Sequence, residues 1–427
     1  MENIELLYEL FKKSYAVSTD SRTLQNNCIF VALKGEHFDG NDFAFKVASD
    51  GIAGAVIADR KDLPEHERLF IVDDSLSTLQ KLAHHHRMTL KTPVIGITGT
   101  NGKTTTKELV SAVLSQKLNT IFTQGNFNNH LGVPLTLLRI KPETEIAVVE
   151  MGANHPNEIS QLANIAMPNF GLITNIGKAH LEGFGSIEGV INTKNEMYRH
   201  IAHNNGMLFV NNDNTLLLNL SKDIRRFTYG TSLNSDVQGE ILSSNPFLSI
   251  KWNNNTINTQ LIGDYNFENV MAAIAIGKYF NVDDNQIIRA IESYSPTNSR
   301  SQVIKTADNT LILDAYNANP TSMNCAINNF HHICDKKNLL IIGDMRELGQ
   351  ESEKEHETIF NKISELGFNN VYFVGSEFSK VAKESKYSTF DNTEELCEFL
   401  KNKKLSGYHI LIKGSNSIHL NKVVEYL

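Results

Sequence analysis

Val94-Ile95-Gly96-Ile97-Thr98-Gly99-Thr100-Asn101-Gly102-Lys103-Thr104-Thr105-Thr106 decides how the rest of the chain is read. The first five residues form a short apolar run that predicts a strand. A glycine-rich turn follows at once. Helical spacing then takes over, with Leu109, Val113 and Leu114 on one face. Strand, glycine turn and helix together make an anion cradle, because backbone N–H groups and a helix N-terminus point the same way. Gly99, Thr100, Asn101, Gly102 and Thr105 would line it. Lys103 is placed to reach the β- and γ-phosphates of a nucleotide such as ATP, and the Thr104 hydroxyl to hold Mg²⁺. The strict phosphate-loop spacing has glycine where Ile97 stands, and Gly99 replaces it here.

Working outward, further β runs end in polar residues: Ile146–Val149 before Glu150, Leu172-Ile173 before Thr174-Asn175, and Leu208–Val210 before Asn211. Strands alternating with helical stretches predict an α/β fold with a mostly parallel sheet. Ligands bind beyond the carboxyl ends of such strands. Glu150 is therefore either a Mg²⁺ ligand or a solvated strand-end carboxylate. The pattern breaks near Ser295-Pro296-Thr297-Asn298. A second alternating series follows, with strands expected at Thr310–Leu313, Leu339–Ile342, Val371–Val374 and His409–Ile412. Helices are expected near Ser322–His331, Glu353–Glu365, Thr393–Leu400 and Leu420–Tyr426. Before residue 91, an amphipathic start (Ile4, Leu7, Leu10, Phe11) leads to strands at Cys28–Leu33, Ala55–Ala58 and Leu69–Val72 and a helix capped by Ser75. Three domains are expected: 1–91, 92–297 and 298–427.

At 427 residues, with 41% hydrophobic residues, the chain can fill several cores. Its net charge of -8 argues against a general nucleic-acid binder but not against a nucleotide held by local geometry. Cys28, Cys325, Cys334 and Cys397 form no C-x-x-C pair, so reduced thiols are expected rather than a disulfide scaffold or zinc site. The acidic start Met1-Glu2-Asn3-Ile4-Glu5 lacks the marks of a signal peptide, and no apolar run is long enough for a membrane span. A cytoplasmic protein, expected to be monomeric, fits these features.

Several residues have both a functional and a bland reading. Taken alone, His180 reads as structural and Lys194 as a solvated helical lysine. Asn266 and Asn269 open a helix, where their amides either read an adenine edge or cap. Arg300 and Asp314 flank the start of the third domain, with Asp314 ending a strand where it could accept ribose hydroxyls. His84-His85-His86 reads as a solvated helix end, since consecutive helical residues do not share a face. Trp252 reads as packing, the run Glu351–Glu357 as a solvated helix N-terminus, and the Asn211–Asn214 and Asn253–Asn255 patches as turns.

Taken together, the motifs resemble those of the Mur ligase family. The phosphate loop is joined by Gly125-Asn126-Phe127-Asn128-Asn129-His130-Leu131-Gly132-Val133-Pro134, by Val149-Glu150-Met151-Gly152-Ala153-Asn154-His155 and by His180-Leu181-Glu182-Gly183-Phe184-Gly185-Ser186. The third domain adds Asp314-Ala315-Tyr316-Asn317-Ala318-Asn319-Pro320, Asp344-Met345-Arg346-Glu347-Leu348-Gly349 and Lys413-Gly414-Ser415. Thr19-Asp20-Ser21-Arg22 and Phe30–Gly35 complete the set. The resemblance is nearest to the branch that adds D-Ala-D-Ala to UDP-MurNAc-tripeptide, and it spans nearly the whole chain. It implies an ATP-dependent amide ligase of peptidoglycan synthesis, hence of cell-wall biogenesis, cell shape and division, working through an acyl phosphate and a tetrahedral intermediate. It implies a UDP-binding first domain, a central ATPase-like domain and a Rossmann-like third.

The resemblance also assigns residues. It makes Thr104 and Glu150 ligands of a first Mg²⁺ and His180 of a second, and Lys194 the family lysine that takes up CO₂ as a carbamate. It makes Asn266, Asn269, Arg300 and Asp314 nucleotide contacts. Ser21, Arg22, Lys34, Gly35 and His37 would hold the UDP end. The alternatives are a same-fold ligase for another acceptor, of the folylpolyglutamate synthetase kind, and a regulatory phosphate-loop switch. The first lacks this type of N-terminal domain. The second lacks support because no guanine-reading Asn-Lys-x-Asp follows the loop.

Overall fold

A computed structural model describes residues 4–333 and 337–427. Cys334 and Met1-Glu2-Asn3 lie outside the described residues. Three sheets follow one another along the chain. The first has four parallel strands, Val17–Ser18, Ile29–Val31, Ala55–Ala58 and Leu69–Ile71, side by side in chain order. The second has nine. The third has six.

The middle sheet is built around the quoted stretch. All five residues of the Val94–Thr98 strand are buried, as expected when helices cover both faces of a parallel sheet. Ile146–Glu150 lies parallel to it on one side and Phe170–Ile173 on the other. The chain leaves this strand toward Thr120–Phe122 and Ile146–Glu150, then returns to its far side at Phe170–Ile173. That reversal opens a crevice at the strand's carboxyl end, where the glycine turn sits. Two helices flank the turn. Lys103–Leu114 buries Leu109, Val110, Val113 and Leu114. It packs against Asn266–Tyr279, which is apolar on nearly every side, from Val270 to Ile276.

The far edge of this sheet has no expected strand in the sequence. Arg226–Gly230 and Val237–Ser243 continue it in parallel, and Ser249–Trp252 and Asn255–Asn258 close it as an antiparallel hairpin. Val237–Ser243 is mostly exposed and polar, so no apolar run marks it. The hairpin turn was legible: Asn253 and Asn254 take φ of +47° and +62°, the left-handed pair that a tight hairpin needs. Trp252 is core. In the third sheet, Gln302–Lys305 pairs antiparallel with Thr310–Asp314, and the other four strands run parallel.

Other expectations need correcting. The cap of the Ser75–Thr89 helix is Asp74, whose carboxylate accepts from the Ser77 N–H, and Ser75 is buried inside it. Leu420–Tyr426 is a 3₁₀ helix. His86 is not solvated. It is fully buried, with Nε2 2.8 Å from the Ile140 carbonyl and Nδ1 3.2 Å from the Tyr8 hydroxyl. In Glu351–Glu357 the chain buries Glu355 and His356. Glu355 takes an ion pair from Lys178 of the middle sheet's loops at 2.8 Å.

The cores are divided unevenly. One continuous apolar cluster runs from Leu7, Ile29, Ile57 and Leu82 of the first part into Val133, Val149, Ile159 and Met197 of the middle part. Among the described residues, the third sheet's apolar clusters are almost wholly its own, with Ile262 the one contribution from the middle part.

Candidate active site

Glycine is required twice in the phosphate loop. Gly99 sits at φ +145°, and a Cβ there would lie 2.0 Å from the Thr174 hydroxyl. Gly102 sits at φ +76°, where a Cβ would lie 2.6 Å from Asn269 Oδ1. The loop is pinned from its neighbours. The Asn101 N–H donates to Asn175 Oδ1 at 3.0 Å, and the Thr174 hydroxyl donates to the Asn101 carbonyl at 2.6 Å. Lys103 opens the helix and folds back, donating to the Gly99 and Thr100 carbonyls at 2.8 and 3.0 Å. Burial pushes its pKa down to about 8, and Glu150 pulls the other way.

Glu150 is fully buried at the end of the adjacent strand. Its Oε1 accepts from Thr104 Oγ1 at 3.2 Å and from Asn128 Nδ2 at 2.7 Å. Its Oε2 is buried and meets no hydrogen-bond partner among the described residues. A carboxylate oxygen left in that state fits a cation ligand.

Lys194 is buried within the Ile187–His203 helix, its ammonium 5.6 Å from the centre of the Phe184 ring. Burial, reinforced by Lys103, lowers its pKa to about 7. The His180 ring stands edge-on to the same Phe184.

Asn266 and Asn269 do not cap their helix; Tyr265 holds that position. They form a buried relay instead. Asn269 Oδ1 accepts from Thr106 Oγ1 at 3.0 Å, its Nδ2 donates to Asn266 Oδ1 at 2.8 Å, and Asn266 Nδ2 donates to the Ile262 carbonyl at 2.8 Å. From the third domain, the Arg300 guanidinium stacks 3.7 Å from the centre of the Tyr316 ring. Asp314 accepts from the Ser301 N–H at 3.1 Å and from Lys413 Nζ at 2.5 Å. Asn319 Nδ2 reaches across to Asn101 Oδ1 at 2.8 Å, so the third domain touches the phosphate loop directly.

These groups face one cavity of about 670 Å³. Thr100, Asn101, Gly102, Lys103, Thr105, Glu150, His180, Asn266, Asn269, Arg300 and Asp314 all line it. Gly99 lies on the same loop, Thr104 opens the helix that follows it, and Lys194, outside the lining, lies against the Phe184 ring. Ser21, Arg22, Lys34, Gly35 and His37 are absent from its wall. They sit on loops of the first sheet, where Arg22 is exposed and paired with Asp20 at 2.7 Å.

Residues 97–277 match the Mur ligase middle domain, and residues 299–416 match the Mur ligase glutamate ligase domain. The UDP-N-acetylmuramoyl-tripeptide--D-alanyl-D-alanine ligase of Bacillus subtilis is 36% identical, over 97% of this chain and 93% of its own length. The chain belongs to the Mur ligase family.

Solved Mur ligases carry the same fold. A MurF structure from Acinetobacter baumannii is 30% identical, with a TM-score of 0.86 over 96% of this chain and 92% of that one. A MurF ligase from Thermotoga maritima in complex with ADP is 27% identical, with a TM-score of 0.83 over 100% and 98%. In this Mur ligase several cavity residues escaped the sequence reading. Asn128, Asn175, Tyr316, Asn319 and Lys413 stand in the quoted motifs or at strand ends but received no role. Lys413, directly after Ile410-Leu411-Ile412, and Asn175, just past Leu172-Ile173, carry the strand-end signal, whereas Asn128, Tyr316 and Asn319 have none; which partner each would meet depends on strand order, which spacing does not reveal.

Proposed function

We propose that this Mur ligase joins D-Ala-D-Ala to UDP-MurNAc-tripeptide, driven by ATP, giving UDP-MurNAc-pentapeptide, ADP and phosphate. The observation that carries the reading is the convergence of the phosphate loop, Glu150 and His180 with Arg300 and Asp314 of the third domain on one cavity. A carboxylate resists attack by an amine. Passing the γ-phosphoryl group to it makes an acyl phosphate, which the dipeptide amine attacks through a tetrahedral intermediate. Bringing a carboxylate up to a polyphosphate sets anion against anion, so charge balance is the main demand on the protein.

The chain's residues meet that demand. The loop amides, the helix N-terminus and the Lys103 ammonium hold the β- and γ-phosphates. Arg300, fixed on Tyr316, adds a second cation. Asn266 and Asn269 contact the nucleotide, and Asp314, held by Lys413, accepts its ribose hydroxyls. Thr104 and Glu150 suit a first Mg²⁺, because Glu150 has a carboxylate oxygen to spare. His180 and Lys194 suit a second only if Lys194 carries a carbamate, since an ammonium cannot be a ligand. A lysine with a pKa of about 7 is about half free base at neutral pH, and the free base is the form that takes up CO₂. When bound, Mg²⁺ screens the phosphate oxygens and polarises the phosphoryl group.

Ser21, Arg22, Lys34, Gly35 and His37 hold the UDP end in the first domain. The three domains, 1–91, 92–297 and 298–427, divide the work as UDP grip, ATP chemistry and closing lid. A monomer working in the cytoplasm, where ATP and the nucleotide precursor are found, fits this reading. Among the described residues no helix is long and apolar enough to cross a membrane. A same-fold ligase with a folate acceptor is not favoured, given the near full-length likeness to tripeptide ligases. The test is omission: phosphate release should need Mg²⁺-ATP, the UDP-tripeptide and D-Ala-D-Ala together. Release with a folate acceptor instead would overturn the reading.

A further inference from the structure

The loop carrying His180 is docked on the third domain at three points. Lys178 pairs with the buried Glu355 at 2.8 Å. The Glu182 N–H faces the Glu347 carbonyl at 3.4 Å. The Glu347 carboxylate makes an ion-pair contact with His180 Nδ1, a buried nitrogen with no hydrogen-bond partner among the described residues. Glu347 is held in an unusual conformation to do this. Its φ is +65°, a left-handed backbone that a glutamate adopts only under constraint. The constraint is visible on its N-terminal side. Asp344 is buried and accepts from the Glu377 and Phe378 N–H groups, the Met345 N–H donates to His356 Nε2 at 3.0 Å, and the Arg346 N–H donates to Ser415 Oγ at 2.9 Å. On the other side, Gly349 at φ +54° lets the chain pass close to Glu182. A strained residue whose side chain crosses a domain boundary to a ring in the active cavity calls for a functional account.

We propose that Glu347 is a positioning residue for His180. A carboxylate at Nδ1 selects the tautomer with the proton on Nδ1, fixes the ring plane, and leaves Nε2 as the lone-pair nitrogen for the cavity. Histidines that ligate a metal commonly hold their other ring nitrogen in this way. Here the orienting carboxylate comes from the third domain. His180 is therefore fully prepared only when that domain is docked, which ties docking to assembly of the site. The inference rests on the reading of His180 as a residue of the ligase site.

The test combines a spectroscopic and a kinetic readout on the full chain. Long-range ¹H–¹⁵N spectra of histidine-labelled protein, with His180 assigned by His180→Gln, should show the Nδ1–H tautomer in the wild type. Glu347→Ala should mix the tautomers and lower kcat roughly 10–100-fold, with little change in KM for D-Ala-D-Ala. Glu347→Gln keeps an oxygen that accepts from Nδ1–H, so it should keep the tautomer and most of kcat, which also controls for misfolding. An unchanged His180 tautomer in Glu347→Ala, or a loss confined to KM for D-Ala-D-Ala, would overturn the proposal. A wild type that makes no pentapeptide would sink the ligase reading while leaving the tautomer result to stand.

Discussion

The Thr104 hydroxyl lies 3.2 Å from Glu150 Oε1, joining the first turn of the phosphate-loop helix to the end of the neighbouring strand. The pair leaves Glu150 Oε2 buried without a hydrogen-bond partner among the described residues. Glu150→Gln keeps the contact with Thr104 and removes the charge. Turnover should fall roughly 100-fold or more, and the variant should need more Mg²⁺ to saturate. A magnesium titration of initial rates checks this; an unchanged half-saturation would remove Glu150 from the metal site.

Lys103→Ala should cost on the order of 10²–10³ in kcat, because it removes a cation from the phosphoryl group as its charge rearranges. The fold should survive, since Lys103 bonds only to carbonyls of its own loop. Stopped-time assays together with a thermal melt separate the two effects. Near-normal turnover would end its assignment.

Lys194→Ala should be inactive and partly rescued by acetate or formate at high concentration, each supplying the carboxylate that the carbamate would have provided. Failure of rescue in a folded variant counts against the carbamate. The adjoining observation is the lowered pKa of a lysine buried over Phe184, which no sequence spacing reveals.

His86 makes a prediction about stability. Burial lowers its pKa below the ordinary 6.5, with neighbouring His85 adding to the shift and the Ile140 carbonyl opposing it. As pH falls through 6.5 the unfolded chain takes up a proton that the folded chain still refuses. Stability should therefore fall with falling pH, by at most about 1.4 kcal/mol per pH unit for one such group, and flatten below the folded pKa. His86→Gln retains an Nε2 donor for Ile140 and removes the titration. Urea melts between pH 7.5 and 5 should show a shallower slope in the variant; parallel slopes would refute the account.

The parts legible in the sequence share a physical character. Val94–Thr98, Ile146–Glu150 and Val371–Val374 are strands buried on both faces, so their apolar runs announce them. Val237–Ser243 and Gln302–Lys305 are held by neighbours rather than by burial, and nothing in their composition marks them. His86 is buried for a related reason. Its helix packs across the boundary between the first and middle parts, and local periodicity is blind to a partner 54 residues away. At the site, the phosphate loop announced itself through glycines whose Cβ space is occupied. The roles of Asn128, Lys413 and Glu347 became visible only once separate strands and domains had been brought together.

The reaction to be shown is the joining of a dipeptide to a nucleotide-linked peptide. Purified protein incubated with Mg²⁺-ATP, UDP-MurNAc-tripeptide and D-Ala-D-Ala, followed by mass spectrometry of the nucleotide fraction, tests it most directly. The tripeptide should be converted to the pentapeptide, with one ADP formed per product. Unmodified tripeptide after ATP has been consumed, or no consumption at all with folded protein, would contradict it.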